Sequence, residues 1–205
     1  MVNMDVESRL QLEYLKVASA LYKAKEYIEI EIKHTIKTQL LEAVHANKIL
    51  ISSRVKDCNS AITALKKKEE GRVFRDGRQY SITQLNDLIG LRISVFPLTL
   101  LELVQSPLLS YLENNFEQPF QTDHTTIENY DIYKYRGIHN QFSEFNCEIQ
   151  LIPMLISKFW DTEHDVFYKP ASPHDAPPMK EAYDAVIKSL YSFEKTYEES
   201  QYKAT

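Results

Sequence analysis

Glycine is scarce, with four in 205 residues, so few tight turns are forced and long elements should dominate the chain. Cysteine is scarcer still. Cys58 and Cys147 stand far apart with no CxxC or Cys/His spacing, which argues against a disulfide framework or a structural zinc and predicts two buried thiols. A strong excess of one charge is also missing. The formal net charge is −5, unlike a protein that coats nucleic acid non-specifically. No run approaches the roughly 18 apolar residues of a membrane span, and the opening MVNMDVESRLQLEYLK carries acids and an arginine where a signal peptide would be apolar. A cytoplasmic protein without membrane contact is expected. What is present is ordinary globular composition, 43% hydrophobic and 26% charged, on a chain long enough for one sizeable core.

Apolar residues recur at helical spacing over residues 7–47 (Leu10, Tyr14, Val17, Leu21, then Ile28, Ile32, Ile36, Leu40, Val44). Two helices are expected there, parted near residues 27–34, where IEIEI also reads as a strand. Residues 49–55 are apolar and β-branched, a strand, and Asp57 to Ser60 can cap a helix that ends in Lys66, Lys67 and Lys68. Residues 71–80 read as a polar loop, and Leu91, Ile93 and Val95 alternate with Arg92 and Ser94 as a second strand. A leucine-rich helix follows over residues 97–114, then an irregular stretch or edge strand over 116–133. Residues 138–142 and 145–151 suggest a hairpin turning at Ser143-Glu144, with Ile138 opposite Ile149 and His139 opposite Glu148. A helix over 154–168 leads into PASPHDAPP, which holds four of the eight prolines and reads as a stiff linker. The last helix, 179–199, aligns Met179, Tyr183, Val186, Leu190, Phe193 and Tyr197 on one stripe.

Chemistry concentrates in the middle of the chain. Between residues 54 and 78 lie Arg54, Lys56, Lys66, Lys67, Lys68, Arg72, Arg75 and Arg78 against four acids. Such a local surplus suits polyphosphate oxygens, and it equally suits a solvated helix end. Asp87 precedes one strand and Glu148 lies in another, so a sheet can bring two carboxylates together beside the basic cluster. That set matches magnesium-dependent phosphoryl transfer. His139 is a candidate for a phosphate or for orienting Glu148, and Tyr135 for stacking on a nucleobase, although both residue types are as often structural.

Together these segments resemble the synthetase domain of the RelA/SpoT family, of the small alarmone synthetase type. Four motifs stand in the family's order: Arg54-Val-Lys56 followed by Ser60; DLIGLRI from Asp87 to Ile93; YRGIH from Tyr135 to His139; and CEIQ from Cys147 to Gln150, followed by Glu163-His164 and Tyr168-Lys169. The resemblance implies a nucleotidyltransferase-like α/β fold, a mixed sheet of about five strands flanked by helices. It divides the chain into an N-terminal helical extension (1–48), a synthetase-like domain (49–169), and a Pro-rich linker with a C-terminal helix (170–205).

The implied activity is transfer of pyrophosphate from ATP to the 3′-hydroxyl of GDP or GTP, giving ppGpp or pppGpp and AMP. In this reading Asp87 and Glu148 are the catalytic pair and hold Mg2+. Arg54, Lys56, Ser60, Lys66, Arg72, Arg75 and Arg78 bind ATP, and Tyr135, His139, Gln150 and Lys134 face the acceptor. Arg92 would orient Asp87 or a phosphate. Ile152-Pro153, Ala64 and Lys134 depart from the family pattern, which leaves other acceptors open. Alternatives are a toxin that pyrophosphorylates the 3′ end of tRNA, paired with an antitoxin protein, and an inactive nucleotide-binding module. No hydrolase activity is expected, since His174-Asp175 sits in the proline linker. The C-terminal stripe is expected to pack on this domain or to build a homo-oligomer.

Overall fold

The computed structural model describes residues 5–71, 78–167 and 177–202. Its centre is a five-stranded mixed sheet: β1 (Ile49–Val55), β2 (Ile89–Val95), β3 (Gln121–Ile127), β4 (Tyr130–Ile138) and β5 (Asn146–Pro153), in the order β1-β2-β5-β4-β3. Only β2 and β5 run parallel. The helices are α1 (Val6–Gln39), α2 (Leu41–His45), α3 (Cys58–Glu69), α4 (Leu100–Asn115), α5 (Met154–Phe167) and α6 (Pro177–Tyr202). The expected α/β architecture is therefore present.

One face of the sheet is closed by α1, α3 and α4. Leu10, Leu21, Ile28, Ile32 and Ile36 of α1 join Ala61 and Leu65 of α3, Val104 and Leu108 of α4, and Leu91, Ile93, Ile149 and Leu151 of the sheet in one core. The predicted break near residues 27–34 does not occur, because Ile28 and Ile32 continue the buried stripe of a single 34-residue helix. Burial on a helical face outweighs the β-branched preference of IEIEI. α1 begins at Asp5, whose side chain accepts from the Ser8 amide. α3 begins likewise at Asp57, which accepts from the Ser60 amide.

The hairpin departs most from expectation. β4 starts at Tyr130, and its partner is β3 through Glu128 and Asn129, both at positive φ (46° and 73°). Two left-handed residues in a two-residue turn match the twist of the strands. β4 then pairs with β5 so that Ile138 faces Asn146, not Ile149, a slip of three residues from the expected register. An odd slip moves side chains to the opposite sheet face. Consequently Glu148 lies opposite Arg136, and His139 leaves the ladder for an isolated bridge with Phe116.

The other sheet face is covered over only part of its length. Tyr130, Ile132 and Ile152 meet Ile156 of α5 and Ile187 of α6 in a second core, and the Trp160 indole donates to the Tyr183 hydroxyl at 2.6 Å, tying α5 to α6. The buried stripe of α6 differs from the predicted one. Val186 and Phe193 remain 40% and 57% exposed, whereas Ile187, Glu194 and Glu198 turn inward. Cys147 is buried as expected, but Cys58, at the start of α3, is only partly so.

Candidate active site

The uncovered part of that second face is made of rows that run across the sheet. Arg54 on β1 stands opposite Gly90 on β2, Gly90 opposite Glu148 on β5, and Glu148 opposite Arg136 on β4. The next row is Ser52, Arg92, Gln150 and Lys134. One row further, Ser94 and Ile152 are 5% and 0% exposed beneath α5. Strand alternation alone therefore puts every polar side chain of these rows on one surface.

A cavity of about 230 Å³ opens there, walled by Arg54, Asp87, Arg92, Glu148, Gln150 and Asp161 among others. A groove of about 820 Å³ lies elsewhere, between α2, the end of α1, the start of α4 and the end of α6. Its walls include neither motif carboxylate nor Arg54, so the smaller cavity is the better candidate.

Each carboxylate of the cavity is met by a positive group. Lys56 Nζ lies 2.6 Å from Asp87 Oδ2. Glu148 Oε2 accepts from Arg136 Nε at 2.6 Å, while Glu148 Oε1 accepts from the Gln150 amide at 2.7 Å. Arg92 reaches Gln150 Oε1 at 3.3 Å, Ser157 on α5, and Asp161. Arg92 thus braces α5 and Gln150 rather than Asp87, whose partner is Lys56. Arg136 also pairs with Asp123 of β3. These hydrogen bonds, that to Glu148 first, raise the Arg136 pKa above its ordinary range and hold it charged. Arg54 is exposed and has no ion-pair partner among the described residues. Its side chain lies over Gly90, with Nε 3.6 Å from where a Cβ would stand.

Several predicted residues are placed elsewhere. Lys66 is half-buried and pairs with Glu7 of α1 at 3.0 Å, outside the cavity wall. Ser60 is exposed in the first turn of α3, with its amide on Asp57. Arg78 is exposed and not in the wall. Arg72, Arg75, Tyr168 and Lys169 lie outside the described residues, as do the side chains of Glu163, His164 and Met179. Gln150 buttresses Glu148 from within the cavity, and Lys134 stands beside it in the second row.

Tyr135 and His139 are corrected by the register. Tyr135 pairs with Ile149 on the closed face. It is 1% exposed, and its hydroxyl accepts from the Gln105 amide at 3.1 Å. A ring so packed has no face to offer a base. His139 is 2% exposed, edge-on to Phe116 and Tyr27, with Nε2 3.3 Å from Glu31. Burial pushes its pKa down, against the opposing pull of Glu31. It is a core histidine, far in register from the role of orienting Glu148. Sequence reasoning missed Arg136 and Asp161. The first sits inside the YRGIH motif and was hidden by the wrong register, whereas Asp161 carries no motif signal.

No family model matches the sequence, and no curated relative does. Solved structures do. Small alarmone synthetase 1 from Bacillus subtilis superposes with a TM-score of 0.63 at 19% identity, over 93% of this chain and 97% of that one. This chain has the small alarmone synthetase fold. The same Bacillus subtilis protein bound to its product pppGpp aligns with a TM-score of 0.56 at 19% identity, over 90% and 92% of the two chains. A GTP pyrophosphokinase family protein from Streptococcus pneumoniae aligns at 0.57 and 19%, over 92% of each chain. Within the small alarmone synthetase fold of this chain, Asp87 and Glu148 wall one cavity from β2's approach and from β5.

Magnesium is held by one or two carboxylates with waters and substrate phosphates rather than by an all-protein cage. Asp87 and Glu148 on one cavity fit that pattern, and among the described residues no group of three metal-ligating side chains forms a cage.

Proposed function

We propose that this protein is an ATP-dependent pyrophosphokinase that acts on the 3′-hydroxyl of a guanosine nucleotide. The observation that carries the reading is the meeting of Asp87, Glu148, Arg54 and Arg92 on one cavity. The fold agrees with it, since a solved structure of the same fold is bound to AMPCPP and another to its product pppGpp. In the reaction, the 3′-oxygen attacks the β-phosphorus of ATP, the bond between that phosphorus and the oxygen bridging to the α-phosphate breaks, and AMP leaves with the electron pair. Glu148 takes the hydroxyl proton as general base. Arg54, without an ion pair among the described residues, holds the transferring phosphates, and Arg92 fixes the cavity wall through Gln150 and Asp161. Asp87 and Glu148 are the residues that would hold magnesium, which supplies charge neutralisation at those phosphates. Lys56, 2.6 Å from Asp87, sets a second positive charge beside it for a phosphate oxygen.

The test is incubation of the purified chain with ATP labelled at the β-phosphate, and separately GDP, GTP, unlabelled ATP and deacylated tRNA. Label on GDP or GTP with equimolar AMP is expected. Label on tRNA alone would move the acceptor to RNA, and no transfer to any acceptor would leave a nucleotide-binding module.

A further inference from the structure

Arg136 belongs to two places at once. Its guanidinium is bonded to Glu148, which walls the first cavity. It also walls a second cavity, of about 190 Å³, with Asn86, Gln121, Asn146 and the carboxylate-bearing Glu117. The Arg136–Glu148 pair is therefore the partition between the two cavities. The second cavity offers three side-chain amides and a guanidinium as donors to phosphate oxygens, against one carboxylate.

Both Glu148 oxygens already accept a donor, Oε2 from Arg136 and Oε1 from Gln150. A guanidinium fork binds carboxylate and phosphate with the same planar geometry, so one can replace the other without a change of chain path. β4 packs closely beside this arginine, since a Cβ on Gly137 would stand 3.1 Å from Phe120 Cβ and 3.3 Å from Phe116, and the exchange asks only the arginine side chain to move. Asp123 holds the same guanidinium from β3 and gives it a second anchor when the first is released.

We infer that Arg136 gates Glu148: the 5′-diphosphate of an acceptor nucleotide in the second cavity draws the guanidinium off the carboxylate and frees Glu148 to receive the acceptor's proton. The inference rests on the proposed reaction and makes Arg136 a specificity residue for phosphorylated acceptors. A nucleoside without phosphates would leave the pair closed.

The test is calorimetric titration of the full chain, without magnesium so that the arginine alone is read, using AMPCPP, GDP and guanosine. The wild type should bind GDP at least about tenfold more tightly than guanosine. Arg136→Ala should erase that preference and keep its affinity for AMPCPP. Glu148→Gln, which removes the competing charge but keeps the shape, should bind GDP severalfold more tightly than the wild type does. A GDP preference that survives in Arg136→Ala overturns the gate. So does a parallel loss of AMPCPP and GDP, the mark of a purely structural ion pair. If Arg136→Ala does not fold, Glu148→Gln still decides, since unchanged or weaker GDP binding there refutes the exchange. A wild type that binds GDP as expected but transfers no label loses the reaction and keeps only the exchange of Arg136 from carboxylate to phosphate. One that binds AMPCPP but not GDP loses the gate and keeps the donor half of the proposed function.

Discussion

The same sheet face treats charge in opposite ways at its two ends. At the open end Asp87 has Lys56, Glu148 has Arg136, and Asp161 has Arg92. At the covered end Glu194 of α6 is fully buried, and among the described residues no charged group pairs with its oxygens and only the Tyr130 hydroxyl approaches them, without hydrogen-bond geometry. Around it stand Tyr130 of β4, whose hydroxyl is also unpartnered, and Tyr191, Lys195 and Glu198 of α6, with Glu198 taken up by the Thr99 amide and Lys195. Exchangeable pairs near water cost little to open and can trade a carboxylate for a phosphate. A buried unpaired carboxylate trades nothing and instead links packing to protons. Position on the face, not residue type, decides whether a glutamate is chemical or structural.

The largest expected effect is at the open end. Glu148→Gln should lower label transfer by about 10²–10⁴-fold, the usual worth of a general base, while AMPCPP still binds. Transfer at the wild-type rate would remove Glu148 from the mechanism. Next, Arg54→Glu should weaken AMPCPP by about one to two decades, because a charge-assisted contact is worth roughly 1.5–3 kcal/mol. Its melting temperature should stay unchanged, as Arg54 supports no pair among the described residues. A drop in melting temperature alongside the affinity loss would assign Arg54 a folding role.

The covered end predicts a pH effect. Burial, with the Glu198 charge adding to it and Tyr130 and Lys195 opposing it, pushes Glu194 from its ordinary 4.5 up to about 7. The folded chain therefore holds a proton that the unfolded chain has lost between those values. Glu194's contribution is full below about 4.5 and is lost as pH rises through about 7. Glu194→Gln should flatten that decline and raise stability at pH 8 by about 1–2 kcal/mol, read by denaturant titration at several pH values. Parallel pH profiles for the two proteins would contradict the burial of an unpaired carboxylate. The smallest effect belongs to α6's outer side, where Phe193→Ser should change stability by no more than about 0.5 kcal/mol. A loss of several kcal/mol would show that the predicted stripe, not the observed one, carries the packing.

Much of the fold was legible because it depends on local signals. Asp57 and Ser60 mark the start of α3, apolar β-branched residues mark β1, and alternation marks β2. The apolar stripe of α1 was legible too, apart from a break that tertiary burial of Ile28 and Ile32 overrides. The β3–β4 side of the sheet was not legible. Glu128-Asn129 is not a conventional two-residue turn sequence, so residues 116–133 read as irregular or as an edge strand, and the hairpin is expected further along the chain, at Ser143-Glu144. From that followed the misplacement of His139 and Tyr135. Two apolar stripes compete on α6, and hydrophobicity chose the one that includes Val186 and Phe193. The helix instead turns Ile187 inward together with two glutamates that no pattern rule would bury.

What the sequence determined by itself was the inventory: an α/β chain, strands around residues 49–55 and 91–95, and the charged side chains Arg54, Asp87 and Glu148 that the fold gathers on one cavity. Tertiary structure decided the pairings. Lys56 meets Asp87 across the turn from β1 to α3, Arg92 reaches α5, and Arg136 reaches Glu148 only in the observed register. The reason is geometric. A strand's side chains alternate faces with a period of two, so motif order along the chain is blind to a slip of three residues that exchanges a histidine for an arginine beside the same carboxylate.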